Sequence, residues 1–337
     1  GKSIKEMRIN MILSASRRTD IPCYYADWFY NRIKEGFLYV RNPVNRHQVS
    51  EIRISPEVVD CIVFWTKNPA PMFPRLDELN GYPFYFQFTL TPYGADIEPH
   101  VLQKKGAIIP AFQTLSERIG PERVIWRYDP ILFNDKYTPA YHINAFAQIA
   151  GALRGYTGKC VISFVDRYAK NRKSLDLMRV YDLEEAQLTA FAKKLCDIAR
   201  ENGMEMVSCA EKMDLESCGI THSCCIDKKL IESIIGCQMH VGKDRNQRAE
   251  CGCMESIDVG VYDTCPNGCV YCYANHKQES VAANSRKYNL SSPLLCGEIE
   301  KEDNITVRQV KSVRDGQLRL DMWRNETVGN QAYTGKR

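Results

Sequence analysis

Short apolar runs rich in β-branched and aromatic residues alternate with longer amphipathic stretches along most of the chain, and this alternation limits the fold more than any other feature. Strands are expected near Met11–Ser16, Cys61–Trp65, Phe84–Leu90, Arg123–Tyr128, Cys160–Val165, Glu205–Cys209 and Ile257–Tyr262. Helices are expected near Tyr24–Lys34, Gln103–Glu117, Ala140–Leu153, Leu183–Asn202 and Lys228–Ile235. For the fourth of these, Asp182 is the start signal and Gly203 the stop. The strands are nearly continuous hydrophobics, as a parallel sheet buried on both faces requires. About seven βαβ-like units predict an α/β protein built on a full or partial parallel (β/α) barrel. The segment Phe37–Ile54 reads as a hairpin inserted after the first helix. A single barrel domain is expected over 8–300, followed by a C-terminal extension over 301–337, where Leu318, Leu320 and Met322 alternate like a short strand.

At 337 residues, with 44% hydrophobic and 26% charged residues, the chain has ordinary globular composition, which argues against disorder and fibrous repeats. No apolar run approaches the roughly 18 residues that a membrane span needs, and no signal-peptide pattern is present, so a cytoplasmic protein without membrane partners is expected. The 45 basic and 41 acidic residues are interspersed, so general nucleic-acid affinity is not implied. A local basic site for a small-molecule or nucleotide-like substrate remains open, and so does a nucleic acid as substrate.

Polar and charged residues recur just after the strands. They include Ser16, Arg17, Arg18 and Asp20 after the first, Lys67 after the second, Arg127 in the fourth and Glu211 after the sixth. In a barrel these positions converge on one mouth, where active sites lie. Turn and capping chemistry accounts for Ser, Thr, Asp and Asn there, but it does not call for Arg or Lys. Arg17, Arg18, Lys67, Arg127 and Glu211 are therefore the candidate catalytic residues.

Of the fifteen cysteines, eleven fall between Cys209 and Cys296. In a reducing compartment such a concentration points to metal ligation rather than disulfides. Cys23, Cys61, Cys160 and Cys196 lie in strand or helix patterns and read as core. Cys265, Cys269 and Cys272 form a C-x3-C-x2-C loop directly after the last strand, with Pro266 and Gly268 suited to a tight wrap. Three soft ligands this close can grip one face of a cubic iron–sulfur cluster and leave its fourth iron open. Cys209, Cys225, Cys251 and Cys253 are the best candidates for an auxiliary iron–sulfur cluster. A closed zinc site and a set of buried thiols are the alternatives.

The spacing of these three cysteines, with aromatic Tyr271 before the third and a barrel strand before the loop, resembles the radical S-adenosylmethionine superfamily. The resemblance implies a [4Fe-4S] cluster on Cys265, Cys269 and Cys272, with S-adenosylmethionine chelating the open iron and Tyr271 near its adenine. It further implies reductive cleavage of that cofactor to a 5′-deoxyadenosyl radical, fed by a flavodoxin or ferredoxin. Members usually carry the motif on the first barrel strand. Here a circular permutation that sets Ile257–Tyr262 beside Met11–Ser16 reconciles the order, and Asp20 and Ser16 then stand as candidate cofactor contacts. The Ser-Ala-Ser-Arg-Arg-Thr-Asp-Ile-Pro and Phe-Trp-Thr-Lys-Asn-Pro segments, together with the late cysteine motif, also resemble a bacterial family catalogued as a domain of unknown function. A zinc-stabilised binding module and an iron–sulfur electron-transfer protein are the alternative readings. Phosphate-loop, dinucleotide-binding and nucleophile-elbow motifs are absent from the sequence.

Overall fold

The computed structural model describes residues 11–211, 213–248, 250–309 and, for the backbone, 314–318. In chain order its strands are β1 (Ile12–Ala15), β2 (Phe37–Arg41), β3 (Gln48–Arg53), β4 (Cys61–Thr66), β5 (Phe84–Thr89), β6 (Val124–Ile131), β7 (Lys159–Phe164), β8 (Glu205–Cys209), β9 (Thr221–Ser223), β10 (Cys237–Met239), β11 (Ile257–Asp258), β12 (Asn304–Val307) and β13 (Arg314–Leu318). The helices are α1 (Ile21–Tyr24), α2 (Ala26–Glu35), α3 (Ile109–Ile119), α4 (Pro139–Leu153), α5 (Arg172–Leu177), α6 (Glu185–Glu201), α7 (Lys228–Ile235) and α8 (Gln278–Ser285). No helix among the described residues is long and apolar enough to cross a membrane.

Eight strands pair in parallel in the order β11-β1-β4-β5-β6-β7-β8-β9. From β1 to β9 each new strand of this sheet is added on the same side, and β11 then joins on the other side of β1. Right-handed crossovers in one direction place the connecting helices on a single face. The period-2 alternation of the strands confirms this sorting. Leu13, Ile62, Phe64, Phe86, Phe88, Trp126 and Ile162 point into one core with Phe29 of α2, Phe112 of α3, Phe146 of α4 and Leu195 of α6. Ile12, Cys61, Val63, Tyr85, Ile125, Val161 and Val207 point the other way.

The eight-stranded parallel sheet is compatible with a partial barrel or an open Rossmann-like sheet, and no closed barrel is present among the described residues, where β11 and β9 are separate edges. Ile226, Ile231 of α7, Met239, Cys251 and Cys253 pack on the face opposite the helices. This chain segment fills the space that strand side chains occupy in a closed barrel. The expected neighbouring of the last and first strands is present, with Leu13 opposite Ile257 and Ser14 opposite Asp258.

Local departures from the sequence reading have simple causes. The last strand ends at Asp258, because the chain then turns to meet the β1 terminus. The helix expected from Leu183 begins at Glu185, capped by a Glu184/Gln187 capping box, and Asp182 instead faces Arg167 at 3.8 Å. The helix expected over Tyr24–Lys34 is split into α1 and α2, and Asp20 caps the first by accepting from the Cys23 amide. Ahead of α3, Lys104–Ile108 form a wider turn. The Phe37–Ile54 hairpin is present as β2 and β3. The C-terminal extension adds β12 to that hairpin and β13 to β10. Leu318 closes β13, whereas Leu320 and Met322 lie outside the described residues.

Behind β6, His142 is fully buried. Its Nε2 donates to the Leu132 carbonyl at 2.9 Å, so Nδ1 accepts from the Tyr128 hydroxyl at 2.8 Å. Burial lowers its pKa to about 4. A histidine that stays neutral in the fold but is free to protonate when unfolded favours unfolding as pH drops below its ordinary value. Stability is therefore expected to fall between pH about 6.5 and about 4 by up to about 3 kcal/mol through this group. Urea denaturation of wild type and His142→Gln over that range measures it. Parallel pH profiles for the two proteins would exclude the assignment.

Candidate metal and cofactor site

The C-terminal end of β1 is fastened to the end of β11 by one carboxylate. Asp258 accepts from Ser14 Oγ at 2.8 Å, Ser16 Oγ at 2.6 Å and the Arg17 amide at 3.0 Å. Gly260 passes so close that a Cβ there would lie 1.9 Å from Ser16 Oγ. Beyond it the Cys265–Cys272 loop is strapped from four directions. Tyr25 donates to the Thr264 carbonyl at 2.5 Å, and Tyr24 donates to Asn267 Oδ1 at 2.8 Å. The Val270 amide donates to the Ile97 carbonyl at 3.0 Å, and Asn171 donates to the Tyr271 carbonyl at 3.0 Å. Tyr273 donates to the Arg17 carbonyl at 2.7 Å. Gly268 takes a positive φ of 69°, which a side-chain-bearing residue adopts only with strain.

The three thiols stand close enough to feel one another's charge. Burial, with Asp20 nearby, pushes Cys265 up to about 12. Burial also raises Cys269 and Cys272, opposed at both by Lys67. Neutral half-buried thiols of this kind lose their protons when a metal binds. Cys23, expected in the core, is half-buried beside Asp20 and Cys265. Asn275 donates to the Cys265 carbonyl at 2.7 Å, and its buried Oδ1 has no hydrogen-bond partner within the described residues.

Next to the loop lies a buried charge group. Glu98, 1% exposed, accepts from Lys67 Nζ at 2.7 Å, Lys104 Nζ at 2.5 Å and Thr91 Oγ1 at 2.7 Å, and the Tyr271 hydroxyl also donates to it. Burial alone would raise its pKa, but the two ammonium groups overcome this and hold it at about 2. Lys67 Nζ lies 5.6 Å from the Tyr271 ring centre. Glu98 and Lys104 were missed by sequence reasoning, because Glu98 sits in an irregular loop and Lys104 opens the turn before α3, neither within a motif.

The other predicted residues divide between the two ends of this region. Ser16 and Asp20 have their oxygens engaged by the protein: Ser16 with Asp258, and Asp20 with the Lys67 amide at 2.8 Å and Asn267 Nδ2 at 3.3 Å. Arg18 lies over Tyr262 at 4.9 Å and donates to the Gly260 carbonyl. Arg127 grips Asp129 with two nitrogens at 3.0 and 2.5 Å and points a third at Cys225 Sγ, 3.0 Å away. Glu211 accepts from the Phe164 amide at 2.7 Å, and burial lifts its pKa to about 7.

The structure brings Cys209, Cys225, Cys251 and Cys253 together. Cys209 and Cys225 Sγ are 3.2 Å apart, Cys225 also contacts the Cys253 thiol, and Cys253 contacts Cys251. Hydrogen bonds from Cys209 and Cys253, with Arg127 and Arg17 alongside, hold Cys225 well below the usual thiol range. Three potential ligands, His47, Glu300 and Asp303, cluster within 4.8 Å elsewhere. Their carboxylates are spent on Arg41 and Arg46 at 2.5–2.7 Å.

No curated protein matches the chain. Among solved structures, a putative alpha-L-fucosidase from Bacteroides thetaiotaomicron overlaps 47% of this chain and 66%, just under two thirds, of its own length, at 11% identity and a TM-score of 0.24. Residues 12–274, from β1 through the cysteine loop, match the model of the family described as Domain of unknown function (DUF1848), and the chain belongs to that family.

Proposed function

We propose that this protein is a radical S-adenosylmethionine enzyme whose [4Fe-4S] cluster is held by Cys265, Cys269 and Cys272. The observation that carries the reading is one loop, after the strand beside β1, presenting three clustered thiols at the sheet end where βα proteins place their chemistry. Three protein ligands leave one iron of a cubic cluster free, and the group then supplies one-electron cleavage of the cofactor's carbon–sulfur bond.

The protein's own residues fit that role. Lys67, fixed by Glu98 beside Cys269, offsets thiolate charge at these half-buried sulfurs. Tyr271, with its hydroxyl bound to Glu98 and its ring against Lys67, presents a rigid aromatic face for the adenine. The partnerless Asn275 Oδ1 suits the cofactor's ammonium group. Arg17, Arg18 and Glu211 remain the candidates for a small-molecule or nucleotide-like substrate, and a flavodoxin or ferredoxin is the proposed reductant. A permuted barrel order follows from the same reading.

Anaerobic reconstitution with ferrous iron and sulfide, then incubation with dithionite and S-adenosylmethionine, is expected to accumulate 5′-deoxyadenosine. Cys269→Ala should give none above background. Equal yields from the two proteins, or none from either, would overturn the proposal. Cys23, lying beside Cys265, favours the one rival, a closed four-thiol site without cofactor cleavage. Under the reading advanced here, Cys23→Ser keeps its iron and its 5′-deoxyadenosine. Under the rival it loses metal.

A further inference from the structure

We infer that Cys209, Cys225, Cys251 and Cys253 form a second, closed iron–sulfur centre whose charge is balanced by Arg17 and Arg127. The inference stands on its own geometry and does not require the reading of the Cys265 loop.

The four thiols come from three separated places: the end of β8, the turn before α7 and the loop before β11. They meet because the chain between β9 and β11 folds back onto the face of the sheet opposite the helices. Cys225 is the best anchored. Its carbonyl accepts from Tyr85 at 2.6 Å and Gln87 at 2.9 Å, and the Ile226 amide donates to Cys253 Sγ at 3.5 Å. Such backbone locking fixes ligands in advance of the metal.

Two guanidinium groups flank the thiols. Arg127 is fully held, by Asp129 on one side and Cys225 on the other. Arg17 lies over Trp65 at 5.3 Å, within electrostatic reach of Cys225 and Cys253, and its buried Nη2 has no partner among the described residues. A buried nitrogen donor left without an acceptor among the described residues, beside Cys225, Cys251 and Cys253, points to a missing anionic body. Four thiolates around a [4Fe-4S] core leave a net charge of about −2, and burying such a charge requires fixed cations.

Zinc takes the same four-thiolate donor set with the same net charge, so metal content decides between the two. The thiol contacts run as a chain, Cys209 to Cys225 to Cys253 to Cys251, and Cys209 and Cys225 Sγ, 3.2 Å apart, must part to ligate either body. With four protein ligands the centre has no open iron for a substrate, which leaves electron carriage as its chemistry. Tyr273 lies within reach of both Cys272 and Cys225, so the two cysteine groups are neighbours.

The test is iron, sulfide and zinc content, with electron paramagnetic resonance after dithionite, on anaerobically reconstituted full-length protein. The Cys265→Ala/Cys269→Ala/Cys272→Ala variant is expected to keep about four irons and four sulfides and a reducible signal. Wild type should hold about twice that. A variant without iron, or one with a single zinc in its place, overturns the second centre. If wild type carries no more iron than the triple variant, the Cys265 reading fails and this one stands. Should the triple variant not fold, Cys253→Ser in an otherwise intact chain is expected to lose about half the iron while still yielding 5′-deoxyadenosine or retaining its S-adenosylmethionine-dependent spectral change. Full iron content in a folded Cys253→Ser protein overturns the proposal.

Discussion

Glu98→Gln is expected to destabilise the protein by about 3–5 kcal/mol, the loss seen when one partner of a buried ion pair is removed. Glu98 is the only carboxylate between Lys67 and Lys104 within this contact group, and its two oxygens are 2.7 and 2.5 Å from the two ammonium groups. Glutamine keeps one acceptor, but it turns an amide N–H₂ toward a cation and leaves the two lysines facing each other in a buried site. The Tyr271 hydroxyl loses its anchor in the same step, so the aromatic face beside Cys269 is freed as well. Chemical denaturation of the protein without added iron separates this effect from cluster binding. Adding Lys67→Met should recover part of the loss, because Lys104 is the more exposed partner and can turn toward water. A cost below about 1 kcal/mol for Glu98→Gln would mean the three charges are solvated, as surface pairs are.

A methyl group at residue 260 should have the second largest effect. In Gly260→Ala the new Cβ would lie 1.9 Å from Ser16 Oγ and 2.6 Å from Ser16 Cβ. The end of β1 must move, and the hydrogen bonds of Ser16 and the Arg17 amide to Asp258 are lost or lengthened. Overpacking together with broken hydrogen bonds to a charged group gives an expected loss of about 3 kcal/mol. Gly242→Ala, where nothing lies within 4 Å of the added Cβ, is the control and should stay within about 0.5 kcal/mol. Arg17 is displaced too, so Gly260→Ala should also lower the iron bound after reconstitution. Melting temperatures equal to wild type would show that β1 and β11 are not held in this register.

The seven anticipated strands all lie in the main sheet; six are inner parallel strands buried on both faces, which read as apolar runs, and the seventh, β11, is an edge strand. β9 escaped notice because Thr221, His222 and Ser223 form a polar edge, with one neighbouring strand among the described residues. The strand order β11-β1 was legible as a juxtaposition, whereas the failure of the sheet to close was not. Closure depends on what fills the inner face, and here that is the segment from Ile226 to Cys253, whose apolar residues look locally like any amphipathic stretch.

What the chain alone determined is what depends on neighbours within about ten residues: strand and helix periods, and the three-cysteine loop, whose spacing is set by the backbone between its members. Which oxygens are free and which are spent was decided only in three dimensions. Ser16 and Asp20 look available in one dimension, yet Asp258, Lys67 and Asn267 lie hundreds or tens of residues away and engage them. The same holds for Glu98 between its two lysines and for Arg17 beside Cys225. Hydrogen bonds and ion pairs are short-ranged in space but indifferent to sequence separation, so only the packed sheet could assign these groups their partners.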